Sequence, residues 1–213
     1  SDFHLGSPNL KNSHKRERLI ISWLNEIKKD AKAIYLVGDI FDFWFEYKKV
    51  IPKGFVRFLG KLAELTDNGM AVHLFVGNHD LWMQDYFQKE LNIPVYHKPK
   101  EFEFSGKKFL VGHGDGLGPG DHGYKRMKKV FTNPLSKWFY RWLHPDLGVP
   151  LAQYFSVKNK AISGEEDMKF LGEEKEWLIQ YCKRKLEQKD YDYFLFGHRH
   201  LPMEIDLDGK ATY

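Results

Sequence analysis

The sequence predicts an α/β protein, and three observations predict it. Four short apolar runs stop at a glycine, at Gly38, Gly77, Gly112 and Gly197. The segments between several of these runs carry apolar residues at helical spacing. Each glycine is followed by side chains with carboxylate, amide or imidazole groups. These are Gly38-Asp39, Gly77-Asn78-His79-Asp80, Gly112-His113-Gly114-Asp115 and Gly197-His198-Arg199-His200. Such βαβ alternation predicts parallel strands covered by helices. Open sheets of this kind hold their sites beyond the carboxyl ends of the strands. A fifth cluster, Asp2-Phe3-His4, sits where another strand would end.

The elements follow in order. Residues 12–30 read as a helix capped by Asn12 or Ser13, with Leu19, Ile20, Trp23, Leu24 and Ile27 facing inward. Residues 33–37 form a strand into Gly38, and 53–67 a helix closed near Asn68-Gly69. Residues 71–76 form the next strand, and 82–91 a short helix. Residues 101–104 alternate, turn at Ser105-Gly106 and return over 107–111 as a hairpin. Residues 121–144 read as one or two amphipathic helices interrupted at Asn133-Pro134. A further short helix runs to about residue 160. Residues 165–188 predict a long helix with Phe170, Leu171, Trp177, Leu178, Tyr181 and Leu186 inward. Residues 193–196 form a strand, and 203–207 with 211 onward a hairpin around Asp208-Gly209.

Composition sets bounds. The 213 residues, 42% hydrophobic and 29% charged, suit one domain over 1–213, with a helical cap inserted at about 120–163. A disordered chain is excluded on the same grounds. The one cysteine, Cys182, excludes an internal disulfide and fits a reducing compartment. No apolar run approaches the ~18 residues that span a membrane. Charge is uneven. Residues 121–160 hold eight lysines and arginines against two aspartates, in a chain whose formal charge is only +4. Tryptophans and phenylalanines are interleaved with them, which suggests an anionic, partly apolar partner such as a membrane surface, and makes nucleic acid the weaker reading. No obligate protein partner is called for.

The five clusters supply a metal chemistry. Hard divalent ions take carboxylate, amide oxygen and imidazole ligands. Two ions roughly 3.5–4 Å apart can clamp the attacking and leaving oxygens of an in-line displacement, and such a pair needs one anionic bridge. Asp39 is the expected bridge. Asp2, His4, Asp39 and His200 supply one site, and Asp39, Asn78, His113 and His198 the other. In Asp2-Phe3-His4 and His198-Arg199-His200, alternate residues on extended backbone would point the same way, although a turn after Gly197 can re-aim His198 and His200 to separate ions. Asp42 is expected to support its loop, and the aromatic run from Phe41 to Phe45 to wall the path from metals to cap.

This ordered set resembles the calcineurin-like metallophosphoesterases. The resemblance implies a four-layer α/β/β/α sandwich with two divalent ions, Mn above all, with Fe or Zn as alternatives. It implies hydrolysis at phosphorus, with His79, oriented by Asp80, stabilising the transition state or protonating the leaving oxygen. Within the family, the Ser-Asp-x-His-Leu start, the Gly-Asp-x-Phe-Asp motif, His-Gly-Asp followed by Asp121 and Tyr124, and Asn133-Pro134 resemble the branch that hydrolyses UDP-2,3-diacylglucosamine in lipid A synthesis. That branch implies cleavage of the diphosphate to 2,3-diacylglucosamine 1-phosphate and UMP. It also implies a cytoplasmic enzyme, peripheral on the inner face of the bacterial inner membrane. Asn78, His79, Asp121, Tyr124, Ser156, Asn159 and Lys160 are its implied substrate contacts. Its best-known members carry Arg after the Asn of Gly-Asn-x-Asp, where this chain has His79, as general phosphoesterases do. A phosphoesterase for another nucleotide, phosphodiester or phosphoprotein, and an inactive metal-binding scaffold, stay open as alternatives.

Overall fold

Two β-sheets face one another across a layer of rings, and both end at the same edge. The computed structural model describes residues 1–120, 122–163, 169–170 and 172–213, with the backbone alone described for 157–163. The first sheet is parallel, in the order β1 (Ala33–Val37), β2 (Ala71–Phe75), β3 (Val95–Tyr96). The second runs β4 (Lys100–Phe104), β5 (Lys107–Gly112), β6 (Tyr193–Phe196), β8 (Ala211–Thr212), β7 (Asp206–Leu207). Within it β5–β6 and β6–β8 are parallel, and β4–β5 and β7–β8 are antiparallel hairpins. Tyr35, His73 and Phe75 of the first sheet meet Phe102 of the second at ring-centroid distances of 5.0–6.2 Å.

Helices cover the outer faces. Ile20 and Leu24 of α1 (Leu10–Ile27) and Phe58, Leu62 and Leu65 of α2 (Val56–Asp67) bury against Ile34, Leu36, Val72 and Leu74. Ile179 and Cys182 of α7 (Trp177–Leu186) bury against Leu110, Phe194 and Leu207. The result is the expected α/β/β/α layering. Both hairpins turn on two residues of positive φ, Ser105-Gly106 (51° and 75°) and Asp208-Gly209 (57° and 70°). Those values match the type I′ turn that the right-handed strand twist selects.

Several helices differ from expectation. α1 starts at Leu10, because the Asn9 side chain accepts the Asn12 N–H. Its buried face is Ser13, Glu17, Ile20 and Leu24, whereas Leu19 and Trp23 are exposed. The two polar residues are buried because each serves a neighbouring backbone. Ser13 Oγ accepts the Gly6 N–H, and Glu17 accepts the Phe58 N–H. α3 is short, Tyr86–Leu91, because Trp82 is committed to a bridge with Phe45. α7 begins only at Trp177, after a turn at Gly172 (φ 90°), and Phe170 is exposed. Leu171, expected inward, lies outside the described residues.

Between β5 and α7 run α4 (His122–Thr132), α5 (Pro134–Arg141) and α6 (Pro145–Ser163). The break at Asn133-Pro134 is a cap: the Asn133 side chain accepts the Leu135 N–H and Pro134 occupies the first helical turn. α6 is longer than expected and holds Pro150 inside its N-terminal half. Tyr140 seats α5 on the body, its ring 4.7 Å from Phe45 and 4.6 Å from Trp82. The Trp82 indole N–H donates to the Phe131 carbonyl. The aromatic run is therefore divided. Phe41 and Trp44 are core, packed with Phe55 and Phe87, and Phe43 and Phe45 carry α5.

Candidate metal centre

The loops after β1, β2, β5 and β6 bring the expected ligands together with Asp2 and His4. Donor atoms of Asp2, His4, Asp39 and His200 lie within 4.8 Å of one another, and so do those of Asp39, His113 and His198. Asn78 joins the second group, its Oδ1 3.1 Å from His113 Nε2. Asp39 belongs to both groups and is 1% exposed. Its Oδ1 accepts the His79 backbone N–H at 2.8 Å. Its Oδ2 lies 3.4 Å from His113 Nε2 and 3.8 Å from His4 Nε2.

Backbone accounts for this convergence. Asp2, His4, Asp39, His198 and His200 all have left-handed φ, between 45° and 73°. Asp and His tolerate that region better than most residues, at a cost. Extended backbone at Asp2–His4 is therefore not what is found, and at His198–His200 it is the turn after Gly197 that aims the two rings. Gly77 supplies closeness. A Cβ there would lie 2.2 Å from Asp39 Oδ1, and one at Gly38 would lie 2.4 Å from His113 Nδ1.

Charge is strongly coupled. Burial disfavours the His113 imidazolium, yet the Asp39 carboxylate beside it pushes the ring up to about 10. Burial likewise opposes ionisation of Asp39, and His113 with His79 and His4 holds it well below the usual range. Burial opposes Asp2 too, but His200 holds it at about 2. His198 is held down by burial first and by His113 second. Val37 sets the His113 tautomer: its carbonyl, 3.0 Å from Nδ1, can only accept, so Nδ1 carries a proton and Nε2 faces the group. Carboxylate, amide and imidazole donors converging on shared points fit a pair of divalent cations.

Residues 1–202 match the family model for calcineurin-like phosphoesterases. The chain belongs to the calcineurin-like phosphoesterase family. It is accordingly a metal-dependent hydrolase. Among similar proteins, a UDP-2,3-diacylglucosamine hydrolase of Porphyromonas gingivalis is 42% identical, over 97% of this chain and 84% of its own length. One of Pseudomonas putida is 32% identical over 67% of this chain and 57% of its own length. One of Pseudomonas aeruginosa is 26% identical over 92% and 80% respectively.

Other expected site residues of this phosphoesterase do different work. Asp80 does not orient the His79 ring. Its buried carboxylate accepts the Gly77, Ile40 and Phe41 N–H groups, tying the loop after β2 to the loop after β1. Burial and the nearby Asp39 push it up to about 7, against the pull of those N–H donors. The His79 ring is held elsewhere, with Nδ1 3.2 Å from the Asp42 carbonyl and 3.0 Å from Ser156 Oγ. Ser156 also donates to Asp42 Oδ2, so its hydroxyl is engaged within the protein. Tyr124 donates to the Asp115 carboxylate, which Lys128, one turn later on α4, also reaches. Asp121 and the side chains of Asn159 and Lys160 lie outside the described residues.

Asp42, expected to support its loop, is joined by two acids whose supporting roles escape a reading by motif. Asp42 Oδ1 lies 3.6 Å from His4 Nδ1, on the side of the ring away from Asp39. Asp115 ties the turn after His113 to α4 through Tyr124 and Lys128. Glu176, 2% exposed, makes a paired ion contact with Arg199 between the two histidines of the last cluster. An arginine placed between two candidate ligand histidines was the available signal that a buried acid had to be near.

Proposed function

We propose that this chain hydrolyses the diphosphate of UDP-2,3-diacylglucosamine, giving 2,3-diacylglucosamine 1-phosphate and UMP. The observation that carries this reading is the 42% identity to the P. gingivalis hydrolase along nearly the whole chain. Exposed rings on α5 and α6 support it, since acyl chains need an apolar surface close to the site. Trp138, Phe139, Trp142, Leu147 and Tyr154 are 49–74% exposed. In this reading the chain is one domain, with residues 120–163 as its cap, working at the cytoplasmic face of a membrane. No described helix is long and apolar enough to cross one.

Asp2, His4, Asp39 and His200 would hold one ion, and Asp39, Asn78, His113 and His198 the other, with Mn the favoured metal. When bound, the ions supply Lewis acidity toward the phosphate oxygens and an activated water. The chain's own groups do the rest. Asp39 Oδ1 is fixed by the His79 N–H, and Oδ2 faces the His113 and His4 rings. The Asp42 carbonyl requires His79 Nδ1 to carry a proton. Nε2 can then donate to a leaving oxygen only as part of an imidazolium. Ser156 holds that ring from α6, so the segment that faces the lipid also orients the acid.

The test is Mn-dependent turnover of UDP-2,3-diacylglucosamine with products identified by mass. UMP and the lipid monophosphate are the expected products. Hydrolysis of a generic diester without release of UMP would sink the proposal. His79 favours a second reading, a phosphoesterase for another nucleotide or diester, and the same assay separates the two.

A further inference from the structure

A cleft of about 570 Å³ opens between α4 and residues 96–99, with His113, Gly114 and Asp115 among its lining. It has the opposite character to the apolar surface of α5 and α6. Lys125, Arg126, Lys128 and Lys129 of α4 line one side, and His97 and Lys98 the other. Two of these cations are spoken for, since Lys125 donates to the Gly118 carbonyl and Lys128 pairs with Asp115. Asp115 is the one carboxylate among the lining residues, and Tyr124 and Lys128 already occupy it. Arg126, Lys129 and Lys98 have no ion pair among the described residues. Walls of like charge, whose one internal carboxylate is already engaged, concentrate the potential of a cleft and draw an anion into it. Burial first, then Lys137 and Lys128 against the opposing pull of Glu46, hold His97 below its ordinary range.

We infer that this cleft receives the nucleotide half of the substrate, a nucleoside monophosphate, with Arg126, Lys129 and Lys98 facing its anionic portion. The inference rests on the proposed cleavage of a lipid-linked nucleotide and assigns the two halves to two surfaces. Acyl chains belong on the exposed rings of α5 and α6, which the cleft does not include. The polar half is left for the basic cleft. His113 belongs both to the cleft wall and to the group with Asp39 and His198, so an anion seated there meets the metal centre.

The test uses the full chain with Mn, and UMP as the probe. Two double variants are made, Arg126→Glu with Lys129→Glu, and the milder Arg126→Gln with Lys129→Gln. UMP inhibition of bis(4-nitrophenyl) phosphate hydrolysis is measured in each, with inorganic phosphate as reference. Charge reversal should raise the UMP inhibition constant at least about tenfold, the scale of losing charge-assisted contacts. The neutral pair should fall between, and phosphate inhibition should move less than UMP inhibition. For UDP-2,3-diacylglucosamine the loss should lie in KM more than in kcat. Unchanged UMP inhibition in the neutral pair overturns the assignment. So does a loss confined to binding of phosphatidylglycerol vesicles, which would give these cations to a lipid surface. If the unaltered chain releases no UMP from the lipid nucleotide but its UMP inhibition still depends on Arg126 and Lys129, the nucleotide site stands and the proposed substrate falls.

Discussion

Asp39 is the residue on which both ligand groups depend. One oxygen is spent on a backbone N–H and the other faces two imidazole nitrogens. Asp39→Asn keeps the shape and removes the charge. It should lower activity by more than the roughly 10–100-fold typical of losing a metal's supporting partner. Metal content, read by mass spectrometry, should fall from two ions per chain to fewer than one. Retention of both ions would show that Asp39 is not shared. His113 adds a pH dependence with a definite sign. In the metal-free protein its ring is raised to about 10 by Asp39, from an ordinary value of 6.5. The stability this pair contributes is fully present below about pH 6.5 and is lost as pH rises through about 10. A divalent ion held by His113 would need the ring free of that second proton, so its binding should strengthen over the same interval. The gap in Tm between Mn-loaded and metal-free protein should therefore widen from pH 6.5 toward 9. A gap that is flat with pH would refute the coupling.

The elements that aim these residues were only partly legible in the sequence. The strand ends were clear, because four apolar runs stop at glycines followed by polar groups. The hairpins were clear because Ser105-Gly106 and Asp208-Gly209 are turn pairs with their own chemistry. The face of α1 was misread because Ser13 and Glu17 are buried for hydrogen bonds that periodicity does not encode. The start of α7 was misread for a tertiary reason. It is fixed by Glu176 on Arg199 and by Trp177 packed on Gly118 and Gly120, where added Cβ atoms would lie 2.1 and 2.7 Å from Trp177 atoms. α7 thus braces the loop of His198 and His200, whose positive φ needs outside support. Glu176→Gln leaves the Arg199 guanidinium short of its buried counter-charge. It should destabilise the fold by on the order of 3 kcal/mol in urea unfolding. Mn affinity, measured by calorimetry, should fall as well. Glu176→Met with Arg199→Met removes both charges at similar volume and should recover much of the stability but not the Mn affinity. Full affinity in that double variant would reduce the pair to a stability device.

At the scale of the molecule, two surfaces meet at one edge of the sheets, one basic and one apolar. Neither was visible as a surface in the sequence. The segment from 121 to 160 shows only that cations and rings are interleaved, and the fold sorts them. Arg126 and Lys129 line the cleft, whereas Leu135, Phe139 and Trp142 are 66–74% exposed on or just after α5. So much apolar surface on one helical segment is the signature of an interaction site. Tyr140 and Arg141 point the other way on α5, Tyr140 into the ring cage of Phe45 and Trp82, Arg141 toward Gln84. The exposed face is therefore held out from the body by rigid packing. Rings at the edge of a bilayer, beside lysines and arginines, bind anionic membranes through combined burial and charge. Phe139→Ser with Trp142→Ser removes two exposed rings and no internal contact to the ring cage, so folding should be nearly unaffected. Binding to vesicles containing phosphatidylglycerol should fall by about tenfold or more, at roughly 25 cal/mol per Å² of lost apolar burial. Binding by the unaltered chain should also weaken between low and high salt, because the basic share of the attraction is screened over about 8–10 Å. Sedimentation with vesicles reads both. If the double variant still binds as tightly as the unaltered chain, the rings do not enter the membrane, and the apolar face belongs to the acyl chains of the substrate alone.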